Sequence, residues 1–124
     1  MYDKDLVLEI FKQILFAIEK ILYRFKPVNS VSDFTTSNEG MEKLDSICML
    51  PIAIGESLKN IDKITNGELL AQYPDTNWKG AKSMRDVISH HYFSIDAEII
   101  YNVCKKEIND LKKTIQSIIE DLKK

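Results

Sequence analysis

An all-α fold is what this sequence predicts, and three observations predict it. Apolar residues recur at spacings of three and four through three long segments, the pattern of one buried helical face. No segment alternates apolar and polar residues with the period of a strand, and no internal repeat is visible. The breaks between the periodic stretches fall at prolines or at clusters of Ser, Thr, Asn and Asp. At 124 residues the chain makes one domain, residues 1–124, with enough apolar content (44%) for a core without staples. The expected architecture is an up-down helical bundle of three long and two shorter helices.

The first helix is expected from Asp3 to Phe25. Leu6, Ile10, Phe11, Ile14, Ile18, Ile21, Leu22 and Phe25 share a face, Leu8 and Leu15 widen it, and Pro27 stops it. "VNSVSDFTTSNEG" then reads as a loop. Thr36 and Glu39 have capping-box spacing for a second helix from Glu39 to Asn60, with Met41, Leu44, Ile47, Cys48, Ile54 and Leu58 inward. Pro51 falls inside it and should kink it near residues 47–51. Gly55 either admits another helix closely or is a tolerated small residue.

"TNGELLAQYP" reads as a short third helix from Asn66 to before Pro74. The fourth begins between Thr76 and Lys79 and runs through Phe93. "SID" breaks it and caps the last helix, Asp96 to Leu122, which buries Ile99, Val103, Ile108, Leu111, Ile115, Ile118 and Leu122.

Charged residues make up 29% of the chain and the net charge is −2, which argues against disorder and against a globally basic nucleic-acid binder while leaving room for a local basic strip. Cys48 and Cys104 sit within apolar helical patterns without CxxC spacing, so they read as buried, reduced thiols rather than a disulfide scaffold or a nucleophile. The N-terminal "MYDKDLVLEI" lacks the basic-then-apolar order of a signal peptide, and no apolar run approaches the ~20 residues that span a bilayer. The expectation is a cytoplasmic protein with no membrane partner.

Chemistry concentrates in "RDVISHHY", Arg85 to Tyr92, which holds both histidines of the chain. On a continuous helix Asp86 and His90 lie four apart, so the carboxylate can orient the imidazole and favour its charged form. Arg85, Ser89 and Tyr92 share another face. Met84, Ile88, His91 and Ile95 make an apolar stripe that turns His91 inward and His90 outward. Arg85 and His90, five apart, lie roughly 140° around an ideal helix. They converge if the helix frays before His90, or if two copies face each other across a two-fold axis and share a cleft.

Such a group suits metal-free cleavage of a phosphodiester. A histidine can take a proton from a ribose 2′-hydroxyl or give one to a leaving oxygen, and a guanidinium can hold the phosphate. Lys79 and Lys82, spaced at three with Arg85, add a basic edge for a phosphate backbone. Dependence on the 2′-hydroxyl makes RNA the substrate. No cofactor is expected, and no metal, since the adjacent histidines offer no HxxxH, ExxH or HExxH spacing. The paired lysines of the last helix, Lys105, Lys106, Lys112, Lys113, Lys123 and Lys124, are interspersed with acids and read as a solvated face. Tyr2, Tyr23, Tyr73 and Tyr101 read as ordinary packing residues.

The pattern Arg-x4-His-x-Tyr, filled by Arg85, His90 and Tyr92, resembles the signature of HEPN domains, and more closely that of HepT-type toxins of prokaryotic toxin–antitoxin modules. Trp78, Gly80 and the run "MRDVISHHYFSID" extend the similarity. The resemblance implies an all-helical homodimer with a composite site at its interface, acting as a metal-independent ribonuclease that leaves cyclic phosphate ends. It implies Arg85 and His90 as the catalytic pair. Asp86 stands where the family usually has a polar residue, often Asn, and a carboxylate there can orient His90. Tyr92 is implied as the tyrosine that a cognate MntA-type minimal nucleotidyltransferase modifies with AMP, adding bulk and negative charge beside the site. The competing reading is a non-catalytic helical subunit that helps a nucleotidyltransferase bind its substrate.

Overall fold

The computed structural model describes residues 2–91 and 94–124, with residues 87, 89–91, 94 and 95 described through their backbone alone. Asp3 starts helix α1 (Lys4–Phe25): its carboxylate accepts from the Leu6 N–H at 3.1 Å, satisfying one of the donors a helix start leaves open. Val7, Ile10, Phe11, Ile14, Ile18 and Ile21 are buried along one stripe. Leu8 and Leu15 flank it half-buried. Leu6, expected inward, is exposed, because Val7 begins the buried stripe one position round the first turn.

The polar linker is not all loop. Phe34 is fully buried and packs 6.2 Å from Phe25, ring to ring, and this anchor holds a single turn, α2 (Ser32–Thr35). Thr36 ends that turn by donating its hydroxyl to the Ser32 carbonyl at 2.8 Å. It is therefore not the cap of the next helix. Ser37 is, accepting from the Gly40 N–H at 3.0 Å.

Helix α3 (Asn38–Thr65) contains Pro51 and buries Leu44, Ile47, Cys48, Ile54, Leu58 and Ile61. Gly40 takes the inward position in the first turn, so Met41 is exposed rather than buried. The helix runs one turn beyond Asn60. It ends where Asn66 (φ 54°) and Gly67 (φ 73°) turn left-handed, and the Gly67 N–H returns to the Asp62 carbonyl at 2.9 Å. Asn66 thus closes α3 rather than opening a third helix. In place of that helix the chain makes one 3₁₀ turn, Leu70–Gln72, tucked in by buried Leu69 and Leu70.

The expected fourth helix is broken in two and cut short. Helix α4 (Trp78–Lys82) is capped by Asn77, whose side-chain oxygen accepts from the Gly80 N–H at 2.9 Å. Helix α5 (Met84–Ile88) ends at Ile88. Strand β1 (Ser89–His91) then pairs antiparallel with β2 (Ser94–Ile95), Ser89 opposite Ile95 and His91 opposite Ser94. The Asp96 N–H closes the reversal on the Ile88 carbonyl at 3.2 Å. Ile95 is β-branched, a type that suits extended backbone, so its helical spacing from Ile88 imitates a stripe without requiring one.

Asp96 caps the last helix as expected, accepting from the Glu98 and Ile99 N–H groups at 3.1 Å each. That helix runs as α6 (Ala97–Asn102), a π-helical segment (Val103–Glu107) and α7 (Ile108–Lys123). Ile100 is fully buried and Ile99 only partly, while Val103, Ile108, Leu111, Ile115 and Ile118 line the core as expected.

Helices α1, α3 and the α6–α7 helix are the three long members of an all-α bundle. Helix α3 packs against α1, α2, α4 and α5, and α1 also packs against α7. Cys48 and Cys104 are buried free thiols. Among the described residues, no helix is long and apolar enough to cross a membrane.

Candidate functional site

Gly55 sets the site's geometry. A Cβ there would lie 2.7 Å from the Ala81 carbonyl oxygen and 3.3 Å from that of Lys82. The glycine therefore admits the α4 backbone against α3, the close approach that its position in the sequence left open. With α4 seated this way, Lys82 forms an ion pair with Asp62 of α3. Ser83 joins α4 to α5 and donates its N–H to the carbonyls of both Lys79 and Gly80.

Arg85 then projects from the first turn of α5. Its Nε lies 3.4 Å from Glu56 Oε1 on α3, and its side chain is 64% exposed. The other oxygen of the same carboxylate, Oε2, lies 3.5 Å from Lys59 Nζ. Glu56 thus bridges two cations and leaves most of the guanidinium facing solvent. Beside it, Lys59, Asp62, Lys79, Lys82 and Ser83 line a shallow depression of about 400 Å³. Four cations against two carboxylates give this surface a net positive charge. The proposed basic edge of Lys79, Lys82 and Arg85 is thus brought together, but each of its last two members already holds an acidic partner on α3.

Asp86 is exposed on α5. Because that helix ends at Ile88, the four-residue helical spacing of Asp86 and His90 does not place them on one face. For the same reason the expected faces Arg85–Ser89–Tyr92 and Met84–Ile88–His91–Ile95 do not exist as helical faces, although Ile88 is buried and Met84 half-buried. The backbone leaves the helix before His90, the first of the two ways in which Arg85 and His90 can converge. The side chains of His90 and His91 and the whole of Tyr92 lie outside the described residues.

Glu56, Lys59 and Asp62 are site residues that the sequence does not single out. They repeat at three along the polar side of α3, which is the only trace they leave there. A separate, larger cavity of about 670 Å³ lies between α4 and the last helix, lined among others by Asn77, Met84, Val103, Glu107 and Leu111. It includes none of Lys79, Lys82 and Arg85.

The thiols are chemically quiet. Burial pushes Cys104 up to about 12. Burial, and then the nearby Asp45 charge, raise Cys48. Neither supplies a thiolate near neutral pH. Of the tyrosines, Tyr73 donates to Asp121 Oδ2 at 2.6 Å and Tyr101 to the Asn29 carbonyl at 2.9 Å, whereas Tyr23 is 78% exposed.

Comparison with known proteins gives this surface its family. The family described as "Ribonuclease HepT-like" matches residues 14–118. "Putative RNase MJ0127" of Methanocaldococcus jannaschii is 39% identical over 70 residues, 56% of this chain and 54% of that protein. "Putative RNase MJ0125" of the same organism is 36% identical over 69 residues, 56% of each chain. "Probable ribonuclease HepT" of Thermococcus cleftensis is 29% identical over 65 residues, 52% of this chain and 56% of that one. The chain thus spans about half the length of these curated relatives. No solved structure matches it. The family match takes in every helix that carries the Arg85 surface, and the chain belongs to the HepT-like ribonuclease family.

Proposed function

We propose that the protein is a metal-independent endoribonuclease, the toxin of a toxin–antitoxin pair, acting as a homodimer with Arg85 and His90 in a composite site. The observation that carries this reading is an exposed arginine beside a lysine-lined depression, in a chain of the HepT-like ribonuclease family. In the proposed reaction a ribose 2′-oxygen attacks the adjacent phosphorus and loses its proton to His90. The 5′-oxygen leaves and gains a proton from the His90 of the second copy. Products are a 2′,3′-cyclic phosphate and a free 5′-hydroxyl, with no external nucleophile and no net change in protons. Arg85 stabilises the charge that builds on the non-bridging oxygens, and Asp86 orients His90. Lys79 and Lys82 guide the backbone.

Silencing would use the same placement. An AMP group on Tyr92, two residues past His90, adds a phosphate and a nucleoside where RNA has to enter. A cytoplasmic nucleotidyltransferase of the MntA type is the partner proposed to attach it. The test is cleavage of RNA in EDTA by the wild type and by His90→Ala, with the product ends identified and Tyr92 checked as unmodified by mass spectrometry. Cyclic phosphate ends from the wild type alone support the reading. Absence of cleavage by both, with a stable nucleotidyltransferase complex, replaces it with a non-catalytic substrate-binding subunit.

A further inference from the structure

We propose that the depression between α3 and α4 is a phosphate subsite for the nucleotide next to the one cleaved, and that Lys59 of α3 is its unassigned member. This rests on the ribonuclease reading of Arg85.

The site is built rather than scattered. Lys59, Lys79 and Lys82 come from two elements held together by the Gly55–Ala81 approach, and all three line one concavity with Ser83. Three ammonium groups and a hydroxyl are the donor set for a phosphate. Among the described residues the lining holds one acid, Asp62, already paired with Lys82, and Glu56 lies at its edge against Lys59. The concavity is open to solvent, which suits a solvated backbone rather than a buried base.

Its distance from Arg85 is set by one carboxylate. Glu56 touches Lys59 Nζ and Arg85 Nε through its two oxygens. The two cations are therefore separated by no more than two short ion contacts and the width of a carboxylate, the scale of neighbouring phosphates on one strand. Arg85 would hold the scissile phosphate and the depression the next. Phosphate contacts of this kind position a strand without reading its sequence.

The experiment measures binding of a short 2′-O-methyl oligoribonucleotide, which lacks the 2′-hydroxyl that cleavage needs, across a range of salt concentrations. Each phosphate neutralised on a single strand contributes about 0.7 to the slope of log affinity against log salt. Lys59→Gln should lower that slope by about 0.7, Lys59→Arg should keep it, and Lys12→Gln on the outer face of α1 should leave it unchanged. Cleavage of unmodified RNA by the wild type is measured in parallel. If the wild type cleaves RNA but Lys59→Gln binds with the wild-type slope, the subsite is wrong and the ribonuclease stands. If the slope falls as stated while the wild type cleaves nothing, the subsite stands and the catalytic reading fails. If the wild type neither binds nor cleaves, both fall.

Discussion

Glu56 Oε1 lies 3.4 Å from Arg85 Nε, so the arginine proposed to act on RNA is held by a helix remote from it in sequence. The contact takes the one guanidinium nitrogen that points along the side chain and leaves the terminal pair for a ligand. An exposed pair of this kind is worth up to about 1 kcal/mol. Glu56→Gln should therefore lower RNA cleavage by no more than about fivefold, chiefly in kcat, with the helical signal unchanged. A loss of two orders of magnitude would show that Glu56 itself takes part in the chemistry.

Arg85→Ala and His90→Ala should each reduce cleavage by a factor of about 100 or more, the scale of one acid–base or charge-stabilising group. Arg85→Lys should recover little, because an ammonium cannot hold two phosphate oxygens in parallel. Circular dichroism and thermal unfolding provide the control. Arg85 is largely exposed, so its loss should shift stability by less than about 0.5 kcal/mol.

Asp62 pairs with Lys82 inside the basic depression, so it competes with any phosphate that enters. Asp62→Asn should strengthen binding of the 2′-O-methyl oligonucleotide and steepen its salt dependence. Unchanged binding would mean that Lys82 stays outside the path of the strand.

Gly55→Ala should destabilise the protein by about 1–3 kcal/mol, since the new methyl would press on the Ala81 carbonyl and backbone has to move. Urea unfolding measures it. A neutral result would mean that α4 rides loosely on α3, and that the lysine-lined depression has no fixed shape.

Alkali should unfold the protein through groups that stay protonated when folded. Burial, and then the bond to Asp121, push Tyr73 up from 10.0 to about 12, and burial pushes Cys104 up from 9.0 to about 12. In both cases the folded state holds the proton more tightly than the unfolded state. Their contribution to stability is complete below the unfolded values and is lost as pH rises from about 9 to 12. The urea midpoint should fall across that window. Tyr73→Phe should cost about 0.5–1.5 kcal/mol at neutral pH and flatten the upper part of the fall.

The three long helices were legible because each repeats one apolar stripe at three and four, as Ile10, Ile14, Ile18 and Ile21 do in the first and Leu111, Ile115, Ile118 and Leu122 in the last. Helix ends were less legible. Ser37 and Thr36 are chemically equivalent caps, and only the burial of Phe34 assigns Thr36 to the preceding turn. The segment after Ile88 misled because Met84, Ile88 and Ile95 keep helical spacing across a chain reversal. Arg85, Lys79 and Lys82 could be named from sequence as a basic edge. Glu56, Lys59 and Asp62 could not, because nothing local distinguishes them from a solvated helix face. Their link to Arg85 exists only through the α3–α4 packing.

The π-helical segment Val103–Glu107 makes the last helix a shaft keyed at two angles. Above it α6 meets α3 and α5, and below it α7 meets α1. An unbroken α-helix would have to serve both sets of neighbours with one continuous seam. The wider turn lets the seam slip in phase, so Val103 and Cys104 are buried side by side before Ile108 resumes the stripe. Forcing α-helical pitch on the same number of residues there would twist one half against the other by about 100°. The half that carries the core and the half that backs the Arg85 surface could then no longer both seat.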